Sequence, residues 1–257
     1  MVLYVYAITR ISAMPDAEAV DGSRHFGVVC GGNVCAVYTA VDENAFSQEV
    51  IDRRAGDLEW LGAIGYRHQT VIADLMDETA VIPLRAFTMF SNETALREYL
   101  IEQSAAYSKI LERLDGKREY TLRIELDPQR WNDALVGRVD SLRALNAEID
   151  AASSGKAFLL RKKLDDEKKR ASRDAEQQLV AEIERAVIDK LACDVVAESR
   201  VQREGAFPQI NVLIDRDEES RLQELHASLA DRYADQGVTL AITGPWPPYS
   251  FAGMMNE

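Results

Sequence analysis

The sequence has few of the residues that usually carry metal or hydrolytic chemistry. Its 257 residues include only three cysteines and three histidines, and the histidines, His25, His68 and His226, lie far apart. It contains no phosphate-binding glycine and lysine loop, no G-x-G-x-x-G, no G-x-S-x-G and no H-E-x-x-H pattern. We therefore expect no enzymatic activity, no metal site and no cofactor.

Positive charge and long apolar runs are also scarce. The 30 Lys and Arg residues face 43 Asp and Glu residues, so the net charge is −13, which opposes binding to nucleic-acid phosphates or anionic lipid. No stretch of about 18 apolar residues could cross a membrane, and the apolar start at residues 1–8 is too short for a signal peptide. The expectation is a soluble, cytoplasmic protein with neither a nucleic-acid nor a membrane partner.

Two of the three cysteines stand close together. Gly32 and Asn33 predict a hairpin turn that sets Cys30 opposite Cys35 in a non-hydrogen-bonded pair, where the two sulfur atoms could meet. A reducing cytosol favours two free thiols that act as small apolar side chains. A zinc site is disfavoured because the nearest histidine, His25, does not have metal-ligand spacing.

Residues 1–115 predict an N-terminal α+β domain with a small mixed sheet and helices. Three strands are expected over 2–8 and 26–41, helices over 44–78, a strand over 79–90, and a helix capped by Ser91 that ends at Asp115 and Gly116. His68 falls on the apolar face of its helix, which indicates a hydrogen-bonded core histidine rather than a catalytic base.

Residues 116–243 predict strands and helices in the order β-α(α)-β-β-α-β, which is typical of a ferredoxin-like domain. Its first crossover is a long helical arm over about 129–192, in which residues 153–155 form either a turn or a kink. Opposite charges four residues apart over 161–176 indicate a solvated helix face, or else a helix that pairs with a partner.

The C-terminal segment, residues 244–257, holds three prolines and three aromatic residues. The prolines predict an extended, polyproline-like arm. Trp246, Tyr249 and Phe251 then either fasten this arm to the protein itself or bind a partner. Arg85, which lies beside Pro83, is expected to form a structural salt bridge, with a partner contact as the alternative.

Four stretches carry a resemblance to one family in the right order. They are residues 3–6, 68–72, 81–87 and the run Gly244-Pro245-Trp246-Pro247-Pro248-Tyr249-Ser250-Phe251. Together they resemble the gas vesicle GvpF/GvpL family, although Arg85-Ala86-Phe87 stands where that family usually shows Arg-Phe-Gly.

This resemblance implies a non-enzymatic accessory protein of the gas vesicle. Its implied partners are the hydrophobic shell subunit and other accessory proteins, during nucleation or growth of the shell, and its implied location is the cytoplasm and the gas vesicle. Arg85, Trp246, Tyr249 and Phe251 are the candidate partner-binding residues. The alternative function is a ferredoxin-like regulatory module that binds a small molecule.

Overall fold

The computed structural model describes residues 1–191, 193–198 and 208–253. It is an α+β protein with two sheets and two compact units. The N-terminal unit contains residues 1–119 together with the C-terminal residues from Pro245 onward, and the C-terminal unit contains Tyr120–Gly244. The C-terminal segment, which we assigned to neither domain from the sequence, thus belongs to the N-terminal unit.

The N-terminal unit is built on a five-stranded sheet in the order β2-β3-β1-β4, in which β5 also pairs with β1. Its elements are β1 (Val2–Thr9), β2 (Gly27–Gly31), β3 (Val34–Val41), α1 (Gln48–Arg54), α2 (Leu58–Glu78), β4 (Val81–Pro83), β5 (Met89–Phe90) and α3 (Glu93–Leu114). Strand β1 pairs antiparallel with β3, β4 and β5. Its almost continuous apolar run is buried on both faces, which makes it the centre of this core.

Local capping signals set the starts of the helices. The side chains of Ser47 and Asp57 accept hydrogen bonds from Val50 N and Trp60 N at the starts of α1 and α2. Asn92, rather than the predicted Ser91, caps α3. The strand predicted over 79–90 is wrong in its middle, because Leu84–Thr88 form a loop between β4 and β5.

The predicted hairpin forms with Gly32 and Asn33 in its turn and Cys30 opposite Cys35. The expectation of two free thiols is wrong, because the two sulfur atoms are joined in a disulfide. The register that brings the sulfur atoms together is set by the turn, and Asn33 N donates to Ser104 Oγ of α3 at 2.9 Å. Cys193 is a free cysteine.

The C-terminal unit holds a four-stranded sheet in the order β7-β8-β6-β9. The elements that follow α3 along the chain are β6 (Lys117–Leu126), α4 (Pro128–Arg138), α5 (Asp140–Asp150), α6 (Ser154–Lys190), β7 (Cys193–Glu198), β8 (Gln209–Asp215), α7 (Glu219–Tyr233), β9 (Val238–Trp246) and α8 (Tyr249–Ala252). Of these, α8 belongs to the N-terminal unit. The strands and helices alternate as predicted, with three helices in the first crossover, and the ferredoxin-like label stays an interpretation of that order. Gly205 and Pro208 predict the connection between β7 and β8 at residues 205–208, which lies outside the described residues apart from Pro208.

The helical arm doubles back on itself. The helix predicted to reach residue 149 breaks at Val139, and α5 then packs on α6 through Leu142, Leu145 and Ile149. Lys156 pairs with Glu148 at 2.9 Å across residues 151–153, so a turn rather than a kink joins α5 and α6. Helix α6 has 37 residues, a length of roughly 55 Å at 1.5 Å per residue.

Candidate functional site

The C-terminal segment does not remain extended after the sheet. Strand β9 continues through Trp246, the next two prolines are buried, and α8 forms a single helical turn. Tyr249 N donates to Pro247 O at 2.7 Å, and Ala252 N donates to Pro248 O at 2.9 Å. The polyproline-like path predicted from the sequence is therefore wrong beyond Pro248, and this turn directs two aromatic side chains inward.

Tyr249 reaches a buried histidine at the centre of the N-terminal unit. His68 is 2% exposed, and its Nε2 lies 3.0 Å from Leu84 O and 3.3 Å from the Tyr249 hydroxyl. Its Nδ1 lies 3.0 Å from the Tyr4 hydroxyl. Because a carbonyl can only accept, Nε2 carries the proton and Nδ1 accepts from Tyr4. The structure confirms the prediction of a hydrogen-bonded core histidine.

Burial controls the ionisation of this cluster. Desolvation lowers the pKa of His68, and the hydrogen bond to Leu84 opposes that shift only in part. Desolvation also raises the pKa of Tyr249 to about 12 and raises the pKa of Tyr4. All three side chains are therefore neutral at pH 7, and the cluster acts as a hydrogen-bonded anchor with no charge to relay.

A second anchor holds the neighbouring residue of α8. Glu119 is only 4% exposed, and its carboxylate accepts from Ser250 N at 3.1 Å and from Ser250 Oγ at 2.7 Å. A buried carboxylate is costly unless such donors satisfy it. The Phe251 ring is 1% exposed and has the Arg113 guanidinium 5.8 Å from its centroid. These contacts fasten the segment to its own unit.

Arg85 and Phe87 lie in the loop between β4 and β5. Thr88 Oγ1 and Thr88 N both donate to Arg85 O, which holds the loop tightly turned. Phe87 has a positive φ of 65°. A left-handed backbone is unusual for phenylalanine, because only glycine adopts it without a steric cost. The Phe87 ring lies 5.6 Å from Trp60 and 6.2 Å from Tyr4.

The four candidate partner-binding residues divide into two pairs. Arg85 is exposed, and among the residues described here no carboxylate lies within 4.0 Å of its guanidinium, so the expected salt bridge is wrong. Trp246 is 46% exposed. Tyr249 and Phe251, by contrast, are occupied by contacts within the N-terminal unit. The sequence did not reveal that Tyr249 contacts His68 or that Ser250 contacts Glu119, because these partners lie 181 and 131 residues away.

The C-terminal unit contains a groove of about 340 Å³ beside α6, lined in part by Trp131, Arg138, Tyr233 and Gln236. Two pairs of its polar side chains bond each other: Arg138 donates to Gln236 Oε1, and the Tyr233 hydroxyl donates to Glu182 at 2.9 Å. Within the described ranges, no three His, Cys, Asp or Glu side chains are grouped to hold a metal ion. No helix in those same ranges is long and apolar enough to span a membrane.

Two solved structures share this fold over nearly the whole chain. They are the gas vesicle protein GvpF from Microcystis aeruginosa, with a TM-score of 0.67, 14% identity and coverage of 98% of both chains, and GvpF from Anabaena, with a TM-score of 0.69, 16% identity and coverage of 98% of this chain and 95% of that one. Both confirm the mixed α+β fold.

Sequence comparison extends the likeness to closer relatives. The chain is 32% identical to gas vesicle protein L2 of Halobacterium salinarum over 264 residues, covering 97% of this chain and 90% of that protein. It is 29% identical to gas vesicle protein L of a Streptomyces strain over 265 residues, covering 99% and 94%. The family model described as gas vesicle synthesis protein GvpL/GvpF matches residues 2–253. The chain therefore belongs to the GvpL/GvpF family of gas vesicle proteins.

Proposed function

We propose that this protein is an accessory factor that binds the hydrophobic gas vesicle shell subunit and keeps it soluble until it joins the growing shell. The observation that carries the proposal is the family match over residues 2–253, since it includes both compact units and the C-terminal segment. A role in gas vesicle assembly follows from family membership, and direct binding of the subunit is the further step that we propose.

The physical basis of this role is mass action. A subunit whose assembled form faces gas exposes a large apolar surface before assembly, and such surfaces aggregate. A binder that takes up the free subunit lowers its free concentration and stabilises its soluble form. The net charge of −13 would keep such a complex soluble by repulsion between like-charged complexes. We place this step in the cytoplasm and at the surface of the nascent vesicle.

Trp246 and Arg85 are the partner contacts that we propose. Both are exposed residues of the N-terminal unit, whereas contact through Tyr249 or Phe251 would first require the α8 turn to leave its site. An exposed tryptophan and an unpaired arginine are typical of protein interfaces, where both residue types are enriched. Sheet edges offer a second mode, in which a partner strand adds to an edge strand such as β2 or β7. Other accessory proteins of the vesicle are the further partners that we propose.

The test is co-expression with a shell subunit, followed by measurement of how much subunit stays soluble and co-purifies with the tagged full chain. We expect retention by the wild type and a loss of tenfold or more in Trp246→Ala and Arg85→Ala. The matched controls are Ile101→Ala and Arg10→Ala, which change an exposed apolar residue and an exposed arginine of the same unit. Absence of any soluble subunit with a folded wild-type chain would refute direct binding.

The small-molecule alternative makes a different prediction. A ligand present at about 100 times its dissociation constant stabilises the folded state by about 2.7 kcal/mol, so it would raise the melting temperature. In the groove beside α6, Arg138, Gln236, Tyr233 and Glu182 bond one another, so these four side chains have less to offer a ligand. A metabolite that raises the melting temperature, together with failure to bind any shell subunit, would favour it.

A further inference from the structure

The tip of the helical arm exposes two large apolar side chains next to each other. Phe158 is 70% exposed and Leu159 is 67% exposed in the second turn of α6. Their neighbour Ala157 packs inward, so the helix already has a buried face at this point and these two side chains lie outside it. About 30 residues of α6 separate them from the strand that follows, a distance of roughly 48 Å along the helix. The tip is thus far from its own sheet.

The tip also carries the opposite charge to the rest of the protein. Residues 148–163, from the end of α5 into α6, contain four cations and two carboxylates, a net charge of +2, whereas the whole chain has a net charge of −13. Lys156 pairs with Glu148 of α5. No carboxylate in the described part of the chain lies within 4.0 Å of Arg161 or Lys162, so the predicted pair between Lys162 and Asp166 does not form. Two exposed apolar side chains with cations nearby are complementary to an acidic surface that contains an apolar recess.

Such a surface exists on the N-terminal unit, on the outer side of α2. Residues 12–23 and 58–78 contain seven carboxylates and one arginine, a net charge of −6. The two segments lie together, because Arg67 pairs with Glu18 at 3.0 Å and Asp16 N donates to Asp74. Between them lies a recess of about 230 Å³ lined by Glu18, Ala63, Tyr66, Arg67 and Thr70. Tyr66 is 75% exposed, so it is available to a partner.

We propose that the arm tip of one copy docks on this acidic α2 surface of a second copy, with Phe158 or Leu159 in the recess beside Tyr66 and the tip cations facing carboxylates such as Glu59. Charge complementarity selects this occupant, since a tip of net charge +2 meets a surface of −6. Membrane binding through the same tip is disfavoured by the adjacent Asp165 and Asp166 and by the net charge of the chain.

The contact is small, so we expect weak association, with a dissociation constant on the order of micromolar and a marked dependence on salt. Sedimentation velocity of the full chain over about 1–300 µM, at low and high salt, would measure it. The double variant Phe158→Ser with Leu159→Ser should weaken association at least tenfold, and so should Tyr66→Ser. Ile188→Ser is the matched control, because it removes an exposed apolar residue from the same helix at its other end.

A mixture of the two variants distinguishes this specific contact from nonspecific association through exposed apolar side chains. The tip variant keeps an intact α2 surface and the Tyr66 variant keeps an intact tip, so an equimolar mixture should form a heterodimer through one contact although neither variant pairs alone. A photoreactive benzoylphenylalanine at position 159, in a mixture of heavy-isotope and light chains, should crosslink to a peptide of the other chain that contains Tyr66.

Three outcomes would overturn the proposal. They are a wild-type chain that stays monomeric throughout, a tip variant that associates as strongly as the wild type, and crosslinks that fall on other surfaces or only within one chain. Binding of the wild type to anionic vesicles but not to itself would assign the tip to a membrane instead.

Discussion

Replacing Phe251 by alanine should destabilise the N-terminal unit although the residue lies near the end of the chain. The ring is 1% exposed, and removal of a buried phenylalanine side chain typically costs about 3–5 kcal/mol in lost apolar burial and cavity formation. Because the segment that follows the last strand can relax around the cavity, we expect a loss at the lower end of this range, about 3 kcal/mol. Trp246→Ala, at 46% exposure, should cost less than Phe251→Ala.

The assay must separate the two compact units, because a chain with two units need not unfold in a single step. Hydrogen exchange measured peptide by peptide across a urea series does so. For Phe251→Ala, peptides from β1, α2 and α3 should lose protection at a urea concentration at least about 1 M lower than in the wild type. Peptides from β8 and α7 should keep the wild-type midpoint. Equal stability of the two variants, or a loss confined to the C-terminal unit, would refute the contacts that we assign to Phe251.

Three further predictions concern single features of the fold. Because burial lowers the pKa of His68, the imidazole binds a proton more readily in the unfolded chain than in the folded one. The stability due to His68 is therefore complete above about pH 6.5 and is lost as the pH falls, by at most about 1.4 kcal/mol per pH unit. Urea midpoints measured between pH 5 and 8 should depend less on pH in His68→Gln than in the wild type. Reduction of the disulfide, or the double change Cys30→Ser and Cys35→Ser, should lower the free energy of unfolding by no more than about 2 kcal/mol, because the closed loop is short. Thermal melts with and without dithiothreitol test this prediction, and loss of folding would contradict it. Gly237→Ala should destabilise the C-terminal unit by at least about 1–2 kcal/mol, because φ is 77° and a Cβ atom would lie 2.5 Å from Arg130 Cβ. A melting temperature equal to that of the wild type would show that alanine is not strained at this position.

Features set by neighbouring residues could be predicted from the sequence. Asp57 and Asp127 begin their helices as expected, because a side-chain acceptor at the N-cap satisfies free N–H groups within three residues. Gly237 ends α7 and its following turn, because it alone adopts a left-handed backbone there without strain. The hairpin register was predictable for the same reason, since two turn residues set it.

Features set by distant residues could not be predicted. The break at Val139 was not predicted, because the one local signal, Gly137 two residues before it, does not show that α5 packs on α6 beyond the break. The partners of the C-terminal segment, Glu119 and His68, lie 131 and 181 residues from the atoms that they bind. The hairpin geometry allowed the disulfide, but we expected free thiols because we expected a reducing cytosol, and that expectation was wrong.

The inward and outward faces of the C-terminal segment determine how a partner-binding experiment on this protein has to be interpreted. Deletion of everything from Gly244 onward would remove the exposed Trp246, but it would also remove Ser250 from the buried Glu119 and Phe251 from the core. Loss of these buried contacts would destabilise the N-terminal unit, so the truncated chain would lose folding and binding together. Trp246→Ala changes a half-exposed side chain, whereas Phe251→Ala changes one that is buried in the core. If the shell subunit is lost only with the first variant, the segment is part of the interface; if it is lost only with the second, the segment serves binding by holding the N-terminal unit in shape.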